Sequence, residues 1–132
     1  MKENFIDQII EKIQTGQDIK AFDDLKYTPT WTFTLAKSID KIITTTNLMI
    51  NYGVYHCTNS GACSDYKLIA DLIHALNLHN RIYPIKYVEN KQSQELPLNS
   101  VLNCSNTPGI IIHWVDALNN YLTKKGHIKK EY

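Results

Sequence analysis

Residues 53–76, GVYHCTNSGACSDYKLIADLIHAL, read as a short strand, a small polar loop and a long amphipathic helix. Val54, Tyr55 and Cys57 sit among β-favouring residues bounded by Gly53 and by the turn-forming Asn59–Gly61, so the spacing predicts a buried strand over Gly53–Cys57. Ser64 stands where an N-cap hydroxyl accepts a helix's orphan N–H groups, and Asp65 in the first turn suits the helix dipole. Leu68, Ile69, Leu72, Ile73 and Leu76 then recur with helical period and make one apolar stripe. This unit is the frame on which the flanking segments are expected to pack.

Upstream, Phe5, Ile6, Ile9, Ile10 and Ile13 form a first stripe, closed by Gly16 at a C′ position. A short strand is expected over Asp18–Phe22, entering the Asp23-Asp24 turn. Pro29 extends the residue before it, so Tyr27–Thr32 reads as a loop. A second helix starts near Thr32 or Thr34, with Leu35, Ala36, Ile39, Ile42 and Ile43 expected inward, and ends in Thr44-Thr45-Thr46. Downstream, Arg81–Val88 reads as an edge strand around Pro84, and Asn90–Ser100 as a polar loop. A last helix spans Trp114–Lys125, with Trp114, Ala117, Leu118, Tyr121 and Leu122 on one face. No linker or repeat divides the 132 residues, which suit a single domain.

The bulk chemistry narrows the classes. The chain is 43% hydrophobic and 20% charged with a formal net charge of +1, and its lysines are spread along the sequence. A basic nucleic-acid face is therefore not suggested. No apolar run approaches the roughly 18 residues of a membrane span, and the first residues, MKENFIDQ, lack a signal peptide's regions. Cys57, Cys63 and Cys104 make an odd set without a CxxC pair, which points to reduced thiols and a cytoplasmic setting.

Candidate chemistry is sparse. Phosphate-cradling loops need clustered glycines, whereas those here stand alone at 16, 53, 61, 109 and 126. Two Tyr-x-x-x-Lys matches occur, Tyr87 with Lys91 and Tyr121 with Lys125. The spacing has meaning only on a helix, which leaves Tyr121 and Lys125 as a weak catalytic candidate beside a core-tyrosine reading. The histidines are scattered, with His74 and His79 five apart, off the spacing of two ligands on one helical face. Cys63, near a helix N-terminus, is the one candidate for a low-pKa thiol. Asp23-Asp24 could hold a cation, although a solvated turn is the commoner meaning.

Four blocks in order resemble the C-terminal half of the dTDP-4-dehydrorhamnose reductase family, the extended short-chain reductases of the RmlD type. They are Asn4–Asp24, Pro29–Ile43 (against PTYTxDLAxAI), Gly53–Leu76 (against GxYHxTNxGxCSWYEFA, with Asp65 in place of Trp) and Pro97–Leu122 (against PxNSxLD…GI…W…AL…YL). The resemblance implies an α/β fold: the C-terminal portion of an NAD(P)-binding Rossmann-type reductase, with four main helices and a few short strands. In that family the cofactor loop and the catalytic Thr/Ser, Tyr and Lys precede the matched part. NADPH or NADH is thus expected for a complete enzyme but not for this chain, which would bind a dTDP-sugar and need a separately encoded N-terminal half. No catalytic, cofactor or metal residue carries over. The substrate-binding residues that do are Thr28, Thr30, Asn59, Asn99 and Ser100. The chain departs from the family at Leu25 (for Gln), Tyr27 (for Gly) and Leu96 (for Arg), and the segment between Ser105 and Gly109 is short. An alternative implied by the same likeness is a non-catalytic regulatory protein, similar to the regulatory subunit of methionine adenosyltransferase. Since the strand Gly53–Cys57 would lack its usual neighbours, pairing with another chain through that edge is also expected.

Overall fold

The computed structural model describes residues 4–45, 52–89, 96–109 and 111–129. Helix α1 (Phe5–Gln14) is capped by Asn4, whose Oδ1 accepts the Asp7 N–H at 2.9 Å, and it buries Ile9, Ile10 and Ile13. Its chain turns at Gly16 into strand β1 (Ile19–Phe22). Helix α2 (Thr32–Thr45) follows, then α3 (Asp65–Ala75), β2 (Ile82–Ile85) and α4 (Trp114–Lys124).

β1 and β2 pair in parallel, Ile19 opposite Ile82 and Ala21 opposite Pro84. Among the described residues this is the whole sheet. A proline in β2 is tolerable because the strand has only one neighbour and so leaves one edge unbonded. α3 packs across both strands and against α1 and α4, which makes it the centre of the molecule. Ser64 caps it by accepting the Lys67 N–H at 3.3 Å. Leu68, Ile69, Leu72 and Ile73 form the buried stripe, meeting Ile10, Ile13, Ile19, Trp114, Leu118 and Leu122 in one core. The helix expected from the opening stretch is therefore the one that orders the fold.

Two expectations fail. Gly53–Cys57 forms no strand: Val54 is 79% exposed, and the chain is held a few residues later, where Ser60 pairs in parallel with His113. A strand exists only beside another, and no described segment forms a backbone ladder with this one; its neighbour bonds through a side chain, the Thr107 hydroxyl donating to the His56 carbonyl at 2.5 Å. The expected apolar side of α2 faces inward only in part. Leu35 and Ile42 are half-buried, but Ala36 is exposed, Ile39 is 46% and Ile43 63% exposed, and the one fully buried side chain of α2 is Thr34. Helical period was read correctly, but period does not say which element covers the stripe. Thr46 and residues 90–95 of the expected polar loop lie outside the described residues. No described helix is long and apolar enough to cross a membrane.

Candidate functional site

A short backbone seam assembles the candidate site. The Lys26 N–H donates to the Leu98 carbonyl at 2.8 Å, and the Ser100 N–H donates back to the Lys26 carbonyl at 2.9 Å. One residue on, Tyr27 and Cys63 exchange two backbone bonds of 3.0 Å. Residues 26–27 are thus stitched between the 98–100 loop and the entry to α3.

Four of the five expected binding residues hang from this seam, and the fifth fixes its exit. Thr28 follows it directly, and its hydroxyl is buried with no hydrogen-bond partner. Thr30 Oγ1 donates to the Thr28 carbonyl at 3.2 Å and accepts the Asn59 N–H at 3.4 Å. Asn59 is only 1% exposed, with both ends of its amide engaged. Its Oδ1 accepts the Trp31 N–H at 3.0 Å, and its Nδ2 donates to the Ile112 carbonyl at 3.2 Å. A buried amide must satisfy both ends, so Asn59 locks the start of α2 to the segment before α4. Asn99 and Ser100 are exposed on the other side; Asn99 Oδ1 accepts the Val101 N–H at 3.1 Å, and Ser100 Oγ reaches the Lys26 carbonyl at 3.4 Å. Thr28, Thr30 and Asn59 are brought together, while Asn99 and Ser100 stand at the seam's far edge.

The departures from the family pattern have partners within this chain. The Tyr27 hydroxyl donates to Asp65 Oδ1 at 2.7 Å, so two of the altered positions meet. Burial, then the Asp65 carboxylate, raises the Tyr27 pKa and keeps the phenol protonated. Leu25 is half-buried and Leu96 exposed. The Asp23-Asp24 turn is used up by protein groups. Asp23 pairs with Lys86 at 2.8 Å, and Asp24 accepts the N–H groups of Tyr87 at 2.8 Å and Val88 at 3.3 Å. Those backbone bonds, Tyr87 first, hold the Asp24 carboxyl below its ordinary value. No cluster of three potential metal-ligating side chains occurs among the described residues.

The nucleophile and tyrosine candidates resolve into packing. Cys63 is buried in the core, and burial, followed by Asp65 and Asp71, pushes its thiol up to about 12, the reverse of activation. Tyr87 is buried, meets Phe22 edge-on at 5.5 Å, and its hydroxyl accepts the Leu96 N–H at 2.9 Å. The Tyr121 hydroxyl donates to Asp7 and also accepts from Asn4 Nδ2 at 3.0 Å, while Lys125 Nζ lies 3.3 Å from Asp7. This cluster ties the first helix to the last. Burial raises the Tyr121 pKa and Asp7 adds to it, whereas an acid tyrosine needs the opposite shift.

Sequence reasoning missed the aromatic wall beside the site. Trp31 and Phe33 stack at 4.9 Å, with Lys124 Nζ 4.4 Å and Lys37 Nζ 4.7 Å from the Phe33 ring centre. On the other side of Trp31 an apolar cleft of about 230 Å³ opens among Phe5, Pro29, Thr30, Leu68, Trp114 and Tyr121. The Trp-x-Phe spacing after Pro29-Thr30 was the available signal, though nothing local shows that Lys124 arrives beside it.

This geometry, a parallel β-pair crossed by a capped helix with a polar seam at its N-terminus, matches the C-terminal part of a known α/β fold. It superposes on a dTDP-4-dehydrorhamnose reductase from Clostridium acetobutylicum with a TM-score of 0.82, 26% identity, and coverage of 95% of this chain and 45% of that one. A Bacillus anthracis dTDP-4-dehydrorhamnose reductase solved in complex with NADP shares the fold at a TM-score of 0.82, with 22% identity over 94% of this chain and 44% of that one. The chain belongs to the RmlD substrate binding domain family, which it matches over residues 1–126. It is also 28% identical over 125 residues to the spore coat polysaccharide biosynthesis protein SpsK of Bacillus subtilis, covering 92% of this chain and 42% of that protein. The chain thus spans less than half the length of these relatives.

Proposed function

We propose that these residues are the sugar-nucleotide-binding part of a dTDP-4-dehydrorhamnose reductase-like protein, and that hydride transfer needs the part of the reductase fold that they do not span. The observation that carries the reading is the seam over residues 26–28 and 98–100, which holds Thr28 and Thr30 with the buried Asn59 at one end and Asn99 and Ser100 at the other. The buried Thr28 hydroxyl has no hydrogen-bond partner there, a polar group that the protein itself leaves unsatisfied.

A dinucleotide does not fit the residues present. Its diphosphate needs glycines at a strand-to-helix turn so that backbone N–H groups can approach. The one glycine just before a core helix, Gly61, is packed against the His113 ring, and α3 is capped by Ser64. The hydride donor is therefore assigned to the part of the reductase fold outside these residues, which themselves hold and orient the sugar nucleotide.

The test is thermal melting of the purified chain with dTDP-rhamnose and, separately, with NADPH. A ligand that binds only the folded chain stabilises it by about 2.7 kcal/mol at a hundred times its dissociation constant. The reading expects an upward shift with dTDP-rhamnose, reduced in Thr30→Ala, and none with NADPH. No shift at 10 mM dTDP-rhamnose, an amount on the order needed to saturate a millimolar site, would refute it.

A further inference from the structure

The turn at residues 104–107 is clamped at both ends to the chain that precedes Asn59. The Thr107 N–H closes the turn on the Cys104 carbonyl at 3.0 Å. At one end the Thr107 hydroxyl donates to the His56 carbonyl at 2.5 Å. At the other, Cys104 Sγ accepts the Thr58 N–H at 3.2 Å and lies 3.0 Å from Thr58 Oγ1. Cys57 is the residue between the two clamps. In a planar trans peptide the Thr58 N–H points to the same side as Cys57 Cα, so a sulfur held on that N–H lies about 4 Å from Cys57 Cα. Adding the roughly 2.8 Å from Sγ to its own Cα keeps the two Cα atoms within about 7 Å, the reach of a disulfide. Both thiols are free and half-buried, so a small oxidant reaches them, whereas the third thiol, Cys63, is 5% exposed in the core. Sulfur is a weak acceptor, so the Thr58 contacts do little to hold Cys104 against a covalent alternative.

We propose that Cys57 and Cys104 are an oxidation site, a thiol pair that closes reversibly to a disulfide. The oxidant is a small disulfide of the glutathione type. One protein thiolate attacks it, forming a mixed disulfide and releasing one small thiol. The other protein thiolate then attacks the protein sulfur of that mixed disulfide, forming the Cys57–Cys104 bond and releasing the second small thiol. Two protein thiols become one disulfide, their two electrons reduce the small disulfide, and their two protons end on the released thiols. Closing the bond takes Cys104 Sγ off Thr58, which is half-buried and turns its N–H and hydroxyl to water instead. The bond joins the chain just before Asn59 to the chain just after Ser100, so oxidation fastens the Asn99–Ser100 loop to the Asn59 segment. It also closes a loop of about 48 residues containing α3 and β2, which restrains the unfolded chain enough to raise the melting midpoint by roughly 6–20 °C.

The experiment equilibrates the full chain, at low micromolar concentration, with oxidised glutathione in native buffer and in concentrated urea. Free thiols are then trapped with iodoacetamide, and the products are read by intact mass and peptide mapping. Expected is a monomer lighter by two hydrogens, its Cys57 and Cys104 peptides linked and Cys63 reduced, with closure at least about 10-fold faster in the folded chain than in urea. Its melt rises by about 6 °C or more and returns with dithiothreitol. Cys57→Ser and Cys104→Ser each stop at a single glutathione adduct and show no such rise. Glutathione adducts without a bridge, a bridge to Cys63 or between two chains, closure no faster in the folded chain, or a melt that stays or falls would overturn the proposal. The peptide map needs only the unsubstituted chain, so a serine variant that fails to fold does not blunt the test.

Discussion

Replacing Asn59 by leucine separates a residue that holds the site from one that touches the ligand. Leucine keeps the amide's branched shape and is bulkier, so no cavity is left behind and any crowding only adds to the cost. What it removes is the acceptor of the Trp31 N–H, at 3.0 Å, and the donor to the Ile112 carbonyl, at 3.2 Å. Each stranded backbone group costs about 1–3 kcal/mol when fully buried. Trp31 and Ile112 are half-buried and regain some water, so the pair is expected to cost about 2–4 kcal/mol, a large part of a typical domain's stability. At roughly 3–5 °C per kcal/mol for a chain of this size, the melting midpoint falls by about 6–20 °C. The assay is thermal unfolding followed by circular dichroism, with dTDP-rhamnose binding measured by calorimetry well below the lowered midpoint. The reasoning expects a large drop in stability, with ligand affinity weakened through the displaced Trp31 segment. A midpoint lowered by less than about 3 °C together with complete loss of binding would refute it, because Asn59 would then spend its amide on the ligand rather than on the chain.

Three further outcomes follow from the geometry. Gly61 has φ +81° and a Cβ there would run into the His113 ring, so Gly61→Ala should cost at least about 2 kcal/mol in urea unfolding, where a change under 0.5 kcal/mol would contradict the packing. The Asp7 carboxyl is held below its ordinary 3.8 by the Tyr121 hydroxyl and then by Lys125, so its contribution to stability is present above about pH 4 and lost as pH falls through the lower folded value; Asp7→Asn should lower stability at pH 7 and flatten the acid limb of a stability-against-pH curve. The Cys63 thiol, buried and pushed up to about 12, should resist iodoacetamide at pH 8 in the folded chain while the half-buried Cys57 and Cys104 react first, as mass spectrometry of the labelled peptides would show.

The local devices of the fold were legible because they are written in neighbouring residues. Ser64 caps α3 where its side chain reaches the next turn, and Gly16 ends α1 because it takes φ +72° without strain. The stripes of α1, α3 and α4 told which residues would be apolar neighbours, and the core confirms them. The family resemblance marked Thr28, Thr30, Asn59, Asn99 and Ser100, and the first three of these meet in space.

Other decisions belonged to contacts between distant residues. Tyr27 and Asp65 each read as a departure, and only the fold shows that one hydroxyl joins them across 38 residues. Lysines spread along the sequence looked unclustered, yet folding brings Lys124 to the same Phe33 ring as Lys37. Cys63 at a helix N-terminus suggested an activated thiol, but the surrounding Ile and Leu side chains strip away the water that a thiolate needs. Gly53–Cys57 has a strand's residues without a strand's ladder, and α2 has a buried helix's stripe that is covered only in part. Sequence by itself determined each element's period, caps and apolar face, because those depend on residues within a turn or two of one another. Which surface each face meets was decided only by the tertiary structure, because burial is a property of the neighbours that the rest of the chain supplies.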